Sequence, residues 1–137
     1  MIEVAAYLIM SGESFSPSAA ADEHGLTYAH QNEPGEIGAR GRYKNKPIPD
    51  GHARVVLTNG QASTIDNNDV WAPLAHTVEV CRRHGASDVS VHLDVKYTDQ
   101  CNIELEPILV KLLGSLELPL TITCYELATL DARGDRH

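Results

Sequence analysis

Between residues 88 and 97 the chain alternates without a break. Val89, Val91, Leu93, Val95 and Tyr97 occupy one set of positions, and Ser90, His92, Asp94 and Lys96 the other. A period of two is the repeat of a β-strand, so this segment predicts a strand with one face in a core and one in water. Residues 118–126 alternate likewise, with Leu120, Ile122 and Cys124 on one side and Thr121, Thr123 and Tyr125 on the other. Residues 3–10 are an apolar stretch of strand length. Residues 53–57 are a shorter β-rich run closed by Thr58, Asn59 and Gly60, a turn signal, and residues 101–105 predict one more short strand.

Helices are marked by the other period and by their caps. Ser16 followed by Pro17 is an N-cap with proline at the first helical position, and the segment to His24 stops at Gly25, which predicts a short helix. A second helix starts between residues 69 and 73 and runs to His84, with Gly85 as its stop. Its Trp71, Leu74, Val78 and Cys81 recur at helical spacing, and Arg82, Arg83 and His84 complement the negative end of its dipole. Glu106 and Pro107 open a third helix running to Leu116, whose apolar stripe is Ile108, Leu109, Leu112, Leu113 and Leu116.

The segments between these elements are polar. Residues 26–51 carry Gly35, Gly38, Gly41 and Gly51 with Pro34, Pro47 and Pro49, and read as a long loop holding at most a short strand. Residues 61–68 read as another polar loop. A structureless stretch as long as 26–51 inside a small domain is usually either functional or disordered, so it is the first place to look for a site. The order β-α-β-α-β-(β)-α-β with alternating strands predicts an α+β domain, residues 1–129. Its mainly antiparallel sheet has about four or five strands with three helices packed on one face, and residues 130–137 form a flexible polar tail. The alternative is a small α/β domain with parallel crossovers, whose buried strands should read as unbroken apolar runs.

Composition narrows the function classes. Of 137 residues, 11 are Lys or Arg and 19 are Asp or Glu, a formal net charge of −8. The basic residues are scattered, so a nucleic-acid backbone is excluded as the expected partner. No apolar run approaches the roughly 20 residues needed to span a bilayer, and the N-terminus lacks the features of a signal peptide, so the expected location is the cytoplasm. The three cysteines form no C-x-x-C pair, which predicts neither a disulfide framework nor a zinc site. Cys81 and Cys124 read as buried small hydrophobes.

The start Tyr7-Leu8-Ile9-Met10-Ser11-Gly12-Glu13-Ser14-Phe15-Ser16-Pro17, the Gly-Glu loop and the block from Asn102 through Leu112-Leu113 to Ile122-Thr123-Cys124-Tyr125-Glu126 together resemble the bacterial family called domain of unknown function 4279. The resemblance spans nearly the full chain and is a packing signature more than a chemical one. It implies no established activity. Small acidic bacterial proteins of this type include many immunity proteins encoded beside toxins, and the resemblance leaves that reading open.

Candidate chemistry is sparse. His92 and Asp94 share a strand face, but no third residue stands at a fixed metal-ligand spacing, so neither a metal nor any other cofactor is expected. Gly35-Glu36-Ile37-Gly38-Ala39-Arg40-Gly41 lacks the order and the Lys-Ser/Thr of a phosphate-binding loop, and Glu36 would repel a phosphate. Neither a serine nor a cysteine has a histidine at a diagnostic spacing, so the chain is not expected to be an enzyme.

The first expectation is therefore an immunity-type inhibitor that binds a cationic toxin, with charge complementarity speeding association. The expected partner-binding residues are Glu33, Glu36, Arg40 and Tyr43 of the long loop and His92 and Asp94 of the wet strand face. Reversing Glu33 and Glu36 to lysine should weaken binding of such a partner in a salt-dependent way and leave the melting temperature nearly unchanged. The alternatives are a small-molecule-binding domain and an uncharacterised enzyme, and the wet strand face also permits a homodimer.

Overall fold

The computed structural model of the chain describes residues 1–60, 64–65, 71 and 73–128. The described elements, in order, are β1 (Ile2–Gly12), α1 (Pro17–His24), β2 (His30–Asn32), a 3-10 turn (Gly41–Tyr43), β3 (Gly51–Gly60), β4 (Thr64–Ile65), α2 (Leu74–Arg83), β5 (Asp88–Tyr97), β6 (Glu104–Leu105), α3 (Pro107–Ser115) and β7 (Leu120–Glu126). The architecture is α+β.

One five-stranded sheet has the order β2-β3-β1-β5-β7. β2 with β3, β3 with β1 and β1 with β5 are antiparallel, while β5 and β7 run parallel across the α3 crossover. The sheet is mixed and mostly antiparallel. The rule that parallel strands read as unbroken apolar runs misses β7 because it is an edge strand, exposed at every residue from Thr121 to Glu126. β4 and β6 form a separate parallel pair, so part of the expected 61–68 loop is a short strand.

Alternation decides which face of the sheet is covered. Val4, Ala6, Leu8 and Met10 of β1 and Val89, Val91, Leu93 and Val95 of β5 are buried in one cluster with Ala20 of α1, Leu74, Val78 and Cys81 of α2, and Leu109 and Leu113 of α3. The helices therefore lie on one face. The opposite face carries Tyr7, Ile9, Ser90, His92 and Asp94, all partly exposed. A register shift between Ala6 and Tyr7 lets β3 bulge against β1.

The helix caps follow their residues. The hydroxyl of Ser16 accepts the Ala19 amide, Pro17 opens α1, and Gly25 closes it in the left-handed region at φ 67°. Helix α2 begins at Leu74, after Pro73, later than the apolar spacing suggests, and Trp71 is buried ahead of it. Cys81 is buried as expected, but Cys124 is exposed. Cys124 sits on the helix side of β7 opposite Val95, and the helices leave that edge uncovered. The expected tail, 130–137, lies outside the described residues. Among the described residues no helix is long and apolar enough to cross a membrane.

Candidate functional site

Three loops meet at the end of the sheet where β1 finishes and β3 and β5 begin. The turn after β1 closes through the Phe15 amide to the Gly12 carbonyl at 3.2 Å, the Ser16 amide donates to the His84 carbonyl at 3.0 Å, and the Ser87 amide donates to the Ser11 carbonyl at 3.0 Å. Two glycines permit this approach. Gly85 has φ 102° and a Cβ there would overlap the Ser14 carbonyl, and a Cβ on Gly51 would overlap the carbonyl of Phe15.

The result is an open cleft of about 420 Å³ lined by Gly12, Glu13, Ser14, Asp50, Gly85, Ser87 and Asp88. It contains three carboxylates and no Lys, Arg or His. Among the described residues no ion pair reaches Glu13, Asp50 or Asp88. Like charges lining one cleft set up a negative potential that an incoming cation relieves. Among the described residues no group of three or more His, Cys, Asp or Glu is arranged to hold a metal ion.

The long loop forms a folded lobe against this cleft. The Gly35 amide donates to the Ile48 carbonyl at 2.6 Å, the Ile48 amide to the Glu36 carbonyl at 2.7 Å and the Gly38 amide to the Lys46 carbonyl at 2.9 Å. The Asn32 side-chain amide donates to the Asp50 carbonyl at 2.8 Å, which ties the lobe's base to the cleft wall. Glu36 and Arg40 are exposed on the lobe and Tyr43 is half-buried, with the Arg42 guanidinium 5.4 Å from its ring centroid. Glu33 is occupied internally, since its carboxylate accepts the Ser16 hydroxyl at 2.6 Å and the Ser18 amide at 3.0 Å.

His92 and Asp94 lie elsewhere. They project from the middle of the uncovered sheet face, opposite Tyr7 and Ala5 of β1 and beside Thr121 and Thr123 of β7. His92 Nε2 is 3.1 Å from Ser90 Oγ. Among the described residues no hydrogen bond or ion pair joins either residue to the lobe. The six expected partner residues therefore fall into two places, the lobe and the open face.

Toward the β2 edge the open face carries a basic group that sequence reasoning missed. The Arg54 guanidinium stacks 5.0 Å from the Tyr7 ring centroid, and the His30 and His52 rings are 5.6 Å apart. Burial holds the His52 imidazole below its ordinary pKa, with His30 and Arg54 adding to the effect. The members come from β1, β2 and β3, and only strand register brings them together. The acidic cleft was equally hidden, because Glu13 follows β1, Asp50 precedes β3 and Asp88 opens β5, three places far apart in the chain.

Two apolar clefts lie elsewhere among the described residues. One, of about 360 Å³, lies between the end of α1, β3 and the start of α2, where His24 Nε2 is 3.2 Å from Thr77 Oγ1. The other is bounded by Ala75, Val78, Glu79, Arg82, Arg83 and Leu116. No family model, curated protein or solved structure matches the chain.

Proposed function

We propose that the protein is a small acidic protein-binding module, an immunity-type inhibitor that works in the bacterial cytoplasm by covering a cognate basic toxin. The observation that carries this reading is the cleft of Glu13, Asp50 and Asp88, three carboxylates with no cation among the lining residues. A lysine or arginine side chain of the partner enters the cleft, and the exposed Glu36 and Arg40 and the half-buried Tyr43 of the adjoining lobe supply the surrounding contacts. The overall charge of −8 steers a cationic partner toward this surface.

The test uses the full chain as bait in a bacterial lysate, eluted with rising salt, beside a Glu13→Lys/Asp50→Lys/Asp88→Lys variant. The expected result is one stoichiometric basic protein released by salt and absent from the variant, whose activity the wild-type chain then inhibits. Equal capture by both baits removes the cleft from the interface. A captured protein whose activity is unaffected by stoichiometric wild-type chain overturns the inhibitor reading.

The apolar cleft beside His24 and Thr77 favours a second reading, the binding of a small apolar molecule with one polar group for that pair. A thermal-shift screen of metabolites against wild type and a Thr77→Val variant separates the two readings.

A further inference from the structure

The edge strand β7 and the turn that follows β5 meet at a pair of thiols. The turn is set by Asp99 at φ 71° and by the Gln100 amide donating to the Thr98 carbonyl at 2.9 Å. It carries the chain back over the helix side of the sheet, where Cys101 packs against the rim of the core. Cys124 projects to the same side of β7, and its Sγ lies 3.7 Å from Cys101 Sγ. A disulfide needs a separation of about 2.05 Å, within reach of a small side-chain rotation at a sheet edge. Cys124 is exposed, Cys101 is partly exposed, and both are free thiols. Nothing in the spacing of the cysteines along the chain announces this pairing.

We propose that Cys101 and Cys124 are a reversible redox site that closes as an intramolecular disulfide and staples β7 to the turn after β5. The oxidant is a low-molecular-weight disulfide of the glutathione type. The Cys124 thiolate attacks one sulfur of the reagent, forming a mixed disulfide and expelling one thiolate. The Cys101 thiolate then attacks the Cys124 sulfur, the protein S–S bond forms, and the second reagent thiolate leaves. The two protons from the cysteines end on the two reagent thiols, and the two electrons lost by the cysteine pair reduce the reagent. Burial and the neighbouring Cys124 hold the Cys101 thiol above its ordinary pKa, so closure accelerates as pH rises.

The full-length protein is incubated with defined mixtures of oxidised and reduced glutathione, quenched with iodoacetamide and mapped by mass spectrometry. The expected product is a Cys101–Cys124 cross-linked peptide whose yield follows the glutathione ratio and returns to zero with excess reductant. The oxidised protein should also melt at a higher temperature than the reduced one. Cys101→Ser should stop at the mixed disulfide on Cys124, and Cys81→Ser should close as wild type does. Glutathione left on Cys124 in the wild type, a dimer linked through Cys124, or both thiols still alkylated at the most oxidising ratio overturns the proposal.

Discussion

Glu33 accepts a 2.6 Å hydrogen bond from the hydroxyl of Ser16, the residue that caps α1. The same hydroxyl accepts the Ala19 amide at 3.2 Å, and the second carboxylate oxygen of Glu33 accepts the Ser18 amide at 3.0 Å. A carboxylate from the long loop thus completes the N-terminus of a helix on the far side of the turn, where the helix dipole favours negative charge. Glu33→Lys should cost about 1–3 kcal/mol, from lost charge-assisted hydrogen bonds and a cation placed at the helix start. Glu36→Lys, exposed on the lobe, should stay within about 0.5 kcal/mol of wild type. Urea unfolding of the two variants checks this. The expectation that both reversals leave the melting temperature nearly unchanged therefore applies to Glu36 alone.

Gly51 lies against the Phe15 carbonyl with no room for a side chain. Phe15 is itself fully buried, so neither wall yields easily. Gly51→Ala should destabilise by about 3 kcal/mol or more through backbone displacement, whereas Gly114→Ala, with open space around it, should be neutral or mildly stabilising on α3. Comparable urea midpoints for these variants would remove the close approach from the account of the cleft.

Stability should fall with acid in two stages. Burial lowers the His52 pKa, so the folded state resists protonation there. Its contribution is complete above the ordinary histidine value of about 6.5 and fades as pH falls to the lowered folded value. Glu23 is also lowered, first by its hydrogen bond with His84 and then, against some desolvation, by Arg83. Its contribution is complete above the ordinary carboxylate range and is lost as pH falls through the folded value. Thermal melts across pH should show His52→Asn flattening the first stage and Glu23→Gln the second. Curves parallel to wild type for either variant would discard that assignment.

On α3, Leu113 is 5% exposed while Ile108 and Val110 are 65% and 54% exposed. Leu113→Ala should cost about 2–5 kcal/mol by opening a cavity, and Ile108→Ser or Val110→Ser about 0.5 kcal/mol or less. Denaturant midpoints for the three decide it. A large loss at Ile108 or Val110 would mean that a covering surface buries that side of the helix in solution.

The thiols offer a further check. Cys81, its pKa pushed up to about 11 by burial, should resist alkylation in the native protein and react only on unfolding. Cys124 should react first. Labelling with iodoacetamide followed by peptide mapping reports the order, and early loss of Cys81 would contradict its burial.

Local physics determined much of this protein from the sequence alone. The period of two set the inward face of β5, Ser16-Pro17 and Gly25 set the ends of α1, and the apolar spacing from Leu74 to Cys81 set the buried stripe of α2, whereas the apolar stretch 3–10 announced β1 without saying which of its faces is buried. These features depend on neighbours a few residues apart, and their signals are written where they act. Strand order, the parallel β5–β7 pair and the exposure of Cys124 were decided by tertiary packing, because alternation records which way a side chain points and not whether anything covers it. The acidic cleft, the His30–His52–Arg54 group and the Cys101–Cys124 contact draw on residues far apart in the chain. No local period records them, and they exist only because strand register and close backbone approach at Gly51 and Gly85 bring those segments together.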